Sequence, residues 1–130
     1  TKTLECKQSI LGLLDPYMPV QVFRSWPHMH QIGRKLSSYH TRDGVDTMMV
    51  DVPNYDFNYQ IGYETNVELD VSDVVTTRCT WENTSNENVG FGEGSFDEMC
   101  FNFVSYYPRI TLPQWQWLLP SANPDCTWTQ

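Results

Sequence analysis

The chain has 130 residues, with 16 acidic against 8 basic side chains and a formal net charge of -8. That length fits one domain, 1–130, large enough to bury a core, and with 40% apolar residues it is globular rather than disordered. The scattered surplus of acids repels phosphate backbones and anionic lipid, so no nucleic acid partner is expected, and no apolar run nears the ~18 residues of a membrane span.

Leu4 to Leu14 reads as one short helical turn. Val20 to Trp26 is rich in β-branched and aromatic residues without a helical stripe, and predicts a strand. Arg34 to Thr41 and Val45 to Val52 predict two more, joined at Asp43-Gly44, where both residues tolerate positive φ. Phe57 to Tyr63, Val67 to Val71 and Val74 to Trp81 are further candidates. Glu82 to Ser95 is a polar loop carrying Gly90, Gly92 and Gly94, and Met99 to Tyr107 is the last strong strand. The tail from Pro108 reads as extended and irregular. Many short strands at even spacing imply an all-β antiparallel sandwich.

Cys6, Cys79, Cys100 and Cys126 form no C-x-x-C pair, which argues against zinc ribbons and thioredoxin-type chemistry. An even count at wide spacing predicts two disulfides in an oxidising compartment, hence a secreted, extracellular or periplasmic protein. Of the three pairings, Cys79–Cys100 with Cys6–Cys126 is favoured, closing a glycine-rich loop and tying the termini together. Without an initiator Met or a signal peptide, Thr1 reads as the start of a processed or trimmed chain. Asn83-Thr84-Ser85 is a formal glycosylation acceptor.

The chemistry centres on His28-Met29-His30 and on Met99 in Asp97-Glu98-Met99-Cys100. Alternate strand residues share a face, so the two imidazoles can converge on one ion. A thioether as third ligand favours Cu(I), because soft sulfur binds soft ions, whereas zinc rarely takes a thioether. A blue-copper site needs a Cys ligand, and the cysteines here are committed to disulfides. Taken singly, the His-x-His pair and the Met have ordinary readings as surface histidines and core filling.

Three stretches together resemble the C-terminal catalytic domain of the copper type II ascorbate-dependent monooxygenases. They are Pro27-His28-Met29-His30-Gln31-Ile32-Gly33-Arg34-Lys35, then Ser72-Asp73-Val74-Val75-Thr76-Thr77-Arg78-Cys79-Thr80, then Val89-Gly90-Phe91-Gly92 through Asp97-Glu98-Met99-Cys100 to Tyr106-Tyr107-Pro108. The resemblance implies a jelly-roll-like sandwich, one copper held by His28, His30 and Met99, and the disulfide pairing favoured above. It implies ascorbate as external reductant, with O2 and a small organic substrate whose C–H bond is hydroxylated. It also implies a second copper held by three histidines in a separate N-terminal domain. With three histidines in all, two of them at the first site, only His40 remains, and it reads as a plain strand residue. The three-His domain is therefore missing from these residues. The chain is either a piece of a larger monooxygenase or a stand-alone, non-enzymatic module for Cu(I) capture or delivery.

The peptide-amidating branch of the family carries an Arg, an Asn and a Tyr where this chain has Trp26, Phe101 and Phe103, none of which pairs with a carboxylate. The resemblance is therefore closer to the dopamine β-hydroxylase branch. The three rings suit an apolar or aromatic substrate edge, although a core role is the commoner fate of such residues. Gly90 to Gly94 lacks the Lys and helix signal of a phosphate cradle. Asp97 and Glu98 read as positioning the strand end or facing solvent rather than as a catalytic pair. Trp115-Gln116-Trp117 reads as packing before a sugar platform.

Overall fold

The computed structural model describes residues 1–9, 19–109 and 124–129. Eight strands build it: β1 (Lys2–Ser9), β2 (Val20–His28), β3 (Gly33–Arg42), β4 (Val45–Val52), β5 (Tyr63–Leu69), β6 (Val74–Trp81), β7 (Phe101–Tyr107) and β8 (Asp125–Thr129). They pair antiparallel in two sheets, ordered β4-β3-β6-β1-β8 and β5-β2-β7. The described residues contain no helix, and the protein is an all-β sandwich.

Local chemistry accounts for much of this. In β5, Thr65, Val67 and Leu69 are buried while Glu64, Asn66 and Glu68 are exposed, the period of two expected of a strand with one wet face. Asp43 and Gly44 take φ of 51° and 76°, so the β3–β4 hairpin closes on a two-residue turn whose twist matches its strands.

One irregularity in β2 decides the layout of the functional face. The register of β2 shifts between Val22 and Arg24 against both neighbours. Before the shift Val20 and Val22 face the core; after it Ser25 and Pro27 do. The extra residue inverts the in-out parity, which turns Trp26 outward.

Two apolar clusters fill the sandwich. One gathers Val20, Val22, Met49, Val67 and Leu69. The other gathers Met29, Leu36, Val50, Val52, Tyr55, Cys79 and Trp81 beneath the His-Met-His segment. Complete burial of side chains such as Met29 and Leu36 stabilises the fold by about 1.5–3 kcal/mol each. Both favoured disulfides are present. Cys6–Cys126 joins β1 to β8, and Cys79–Cys100 ties β6 of one sheet to the residue preceding β7 of the other.

Several element expectations need correction. Lys2–Ser9 is a strand rather than part of a helical turn, because pairing with β6 and β8 overrides local preference; residues 10–14 lie outside the described set. Phe57 to Ile61 is loop, and the strand runs from Tyr63 to Leu69. It stops there because Asp70 starts a turn, accepting the Asp73 backbone N–H at 3.0 Å and, through Oδ1, that of Ser72 at 3.1 Å. The tail holds a strand, Asp125–Thr129, fixed by its disulfide and its pairing with β1. Trp115-Gln116-Trp117 lies outside the described residues.

Candidate metal centre

The segment that carries both histidines is a strand end running into a turn, not one continuous strand. β2 stops at His28, and the Gly33 backbone N–H donates to the His30 carbonyl at 3.2 Å to open β3. The two rings nevertheless meet, with centroids 5.1 Å apart at an interplanar angle of 84°. Two imidazoles that share one ion through ~2 Å metal–nitrogen bonds hold their ring centres about 5 Å apart. The observed spacing fits that requirement.

Hydrogen bonds fix the tautomer of each ring. His28 Nδ1 lies 2.7 Å from Gln60 Oε1. The Gln60 amide cannot be reversed without loss, since its Nε2 donates to the Phe57 carbonyl at 2.9 Å. His30 Nδ1 lies 3.0 Å from the Asp97 carbonyl. Both partners are acceptors, so both Nδ1 atoms carry the proton, and both Nε2 atoms keep the lone pair that a metal requires. Acceptors on the far nitrogen of ligating histidines are the usual means of fixing ring orientation.

The backbone beneath the rings is clasped at two points. Tyr55 Oη accepts the Met29 N–H at 2.9 Å and donates to the Met29 carbonyl at 2.8 Å. Burial pushes this phenol above its ordinary value of 10.0, so it stays a donor across the working range. Glu98, 8% exposed, is the second clasp. Its Oε2 accepts the His30 N–H at 3.0 Å and Trp81 Nε1–H at 2.8 Å, and its Oε1 accepts the Ile32 N–H at 2.9 Å. The sequence reading left Glu98 as a strand-end or solvent residue and missed this role. Gly33 completes the arrangement: a Cβ there would sit 2.7 Å from Met29 Cβ, too close for any other residue to be accommodated unshifted.

Met99 follows Glu98 directly, so its peptide is anchored to the same turn. The β2–β7 register pairs Trp26 with Phe103, Pro27 with Asn102 and His28 with Phe101. The pairing ends at His28 and Phe101, two residues short of both His30 and Met99. Cys100, the next residue, is bonded to Cys79 in the facing sheet. Met99 is half-buried on the wall of a 410 Å³ cavity that also includes Ile32, Trp81, Phe91 and Trp128. Among the described residues no three His, Cys, Asp or Glu side chains gather as a metal site.

Trp26, Phe101 and Phe103 are not core. They are 43%, 38% and 56% exposed on the outer face of the β5-β2-β7 sheet, a consequence of the β2 bulge and of pairing across β7. The Phe103 ring lies 6.2 Å from that of His28 and 5.5 Å from that of Phe101, which meets Phe91 at 6.2 Å. Arg24 stacks over Trp26 at 4.9 Å, a cation–π contact. The rings thus form an exposed aromatic strip leading to His28.

Asp97 is exposed and caps the glycine loop, accepting the Gly94 N–H at 3.1 Å. His40 is buried in β3, with Nδ1 3.4 Å from the Asp73 carboxylate that Arg42 grips through two bonds of 2.7 and 2.8 Å. That Nδ1 is buried and has no hydrogen-bond partner among the described residues.

The chain matches the model of the copper type II ascorbate-dependent monooxygenase C-terminal domain over residues 3–118. It is 31% identical over 112 residues to MOXD1 homolog 1 of Drosophila melanogaster, covering 82% of this chain and 16% of that protein. It is 32% identical over 119 residues to dopamine beta-hydroxylase of Canis lupus familiaris (85% and 18%). The Rattus norvegicus dopamine beta-hydroxylase is 34% identical over 115 residues (82% and 18%). The chain spans less than a fifth of the length of these relatives. With its paired disulfides, sandwich and His-x-His and Glu-Met-Cys motifs in family order, the chain belongs to the copper type II ascorbate-dependent monooxygenases, as their C-terminal domain.

Proposed function

We propose that this chain is the oxygen-activating half of a copper- and ascorbate-dependent monooxygenase, with His28, His30 and Met99 as the copper ligands. The observation that carries the reading is the matched tautomer of the two rings, each Nδ1–H held by a carbonyl oxygen with the ring centres 5.1 Å apart. Copper bound there supplies one-electron chemistry toward O2 that ends in hydroxylation of a C–H bond.

The chain's own residues do the positioning. Gln60 and the Asp97 carbonyl hold the ring protons, Tyr55 and Glu98 hold the peptide between the rings, and Phe57 presses edge-on against His30 at 6.0 Å. The exposed strip of Trp26, Phe101 and Phe103 offers flat apolar surface to the substrate and no partner for a carboxylate. Small aromatic amines of the kind named in the dopamine and tyramine beta-hydroxylase relatives suit it. The two disulfides suit work outside the reducing cytosol.

A second reading applies to these 130 residues alone. With only His40 left over, they cannot assemble a three-His electron store, so by themselves they act as a Cu(I)-binding module. Reduced copper titrated into the chain should bind one equivalent, with His28→Ala and His30→Ala each losing most of it. Ascorbate should drive little or no hydroxylation of a phenethylamine by the chain alone, and turnover should appear only with a three-His copper domain supplied. Full copper retention by both alanine variants would overturn the assignment; efficient turnover by the chain alone would overturn the split of roles.

A further inference from the structure

We infer that Asn83 is an N-glycosylation site, a role independent of the metal. Asn83-Thr84-Ser85 is the one N-x-S/T triplet without proline in the sequence, and it lies in the polar loop directly after β6, where Glu82 to Asn88 are all exposed.

The loop geometry presents the acceptor. Asn83 Oδ1 accepts the Ser85 backbone N–H at 2.9 Å and the Ser85 hydroxyl at 2.8 Å. The triplet is therefore folded as an Asx turn, with its hydroxyl on the amide oxygen. That bond draws electron density toward oxygen and makes an Nδ2 proton easier to remove. Nδ2 has two protons and donates to the Glu87 carbonyl at 2.8 Å; a glycosylated amide keeps one N–H, so modification and this hydrogen bond are compatible. Two disulfides suit an oxidising compartment, and the eukaryotic secretory lumen, where such transfer takes place, is one.

The reaction is transfer of an oligosaccharide from a lipid pyrophosphate. The Asn83 nitrogen forms a bond to the anomeric carbon, the carbon–oxygen bond to phosphate breaks, the lipid pyrophosphate departs, and the amide proton passes to the transferase's base. No oxidation or reduction is involved. The acceptor shares a cavity wall with Phe91 and Trp128, 77% and 66% exposed, so the first sugars have aromatic neighbours beside them.

Secretion of the chain from eukaryotic cells, followed by peptide mass spectrometry, tests the site. The peptide containing Asn83 should carry a glycan that peptide N-glycosidase removes, leaving a carboxylate in its place. Asn83→Gln and Ser85→Ala should abolish it, whereas Ser85→Thr should retain it. Should Asn83→Gln fail to secrete, the Ser85 pair still decides. An unmodified Asn83 peptide in the secreted protein would overturn the inference, as would a glycan that survives Ser85→Ala.

Discussion

The Glu98 carboxylate accepts the backbone N–H of His30 at 3.0 Å across a sequence separation of 68 residues. The same side chain belongs to the residue preceding Met99. One carboxylate thus fastens the histidine turn to the methionine arm, and Trp81 and Ile32 use its remaining acceptor capacity.

Replacing Glu98 with Gln keeps the shape and turns an acceptor-only group into one that must point an N–H₂ at a backbone donor. Leaving buried donors unmet costs about 1–3 kcal/mol. We expect the denaturation midpoint of the metal-free chain to fall accordingly. We also expect copper affinity to weaken at least tenfold, because both arms lose their common anchor. A variant with unchanged stability and unchanged affinity would show that the clasp is dispensable.

Gln60 separates orientation from folding. It is exposed, and its side chain accepts the His28 Nδ1–H while donating to the Phe57 carbonyl. Gln60→Leu should leave thermal stability within about 0.5 kcal/mol while lowering copper affinity roughly 10–100-fold. Gln60→Glu preserves the acceptor and should retain affinity. Isothermal titration against a competing Cu(I) chelator distinguishes the two, and equal loss in both variants would contradict the orienting role.

Acid sensitivity should arise at the Asp73–Arg42 pair. Burial alone would raise the Asp73 carboxyl; the two bonds from Arg42 and one from the Asp70 N–H outweigh it and hold the group below its ordinary 3.8. The Arg78 guanidinium likewise holds Glu5 below 4.5. A carboxyl depressed in the folded state binds fewer protons there than in the unfolded chain. Its stabilisation is therefore complete above the unfolded value and is lost as pH falls through the folded one. Stability should be flat near neutrality and decline from about pH 5 downward. Arg42→Met should lower stability at neutral pH and flatten that decline, as read by urea denaturation across pH. An undiminished slope in this variant would contradict the assignment.

The strands most legible in the sequence are those whose own alternation or turn chemistry specifies them. β3 and β4 are announced by Asp43-Gly44, and β6 by its β-branched run. β1 and β8 were not legible, because Lys2–Ser9 and Asp125–Thr129 gain their strand character from pairing across most of the chain length. Trp26 could not be assigned to a face from alternation alone, since one bulged residue inverts the count. His28, His30 and Met99, the ligand set proposed here, stand out in the sequence through their motifs. Glu98, Tyr55 and Gln60 were not, because nothing local marks a carboxylate, a phenol or an amide as the partner of a peptide or ring dozens of residues away.

X-ray absorption at the copper edge of the reduced, copper-loaded chain counts the donors directly. We expect one sulfur scatterer beside two imidazole nitrogens, with the sulfur contribution lost in Met99→His while copper remains bound. A first shell of nitrogen and oxygen alone in the unmodified chain, or sulfur that persists in Met99→His, would contradict the His28, His30 and Met99 centre.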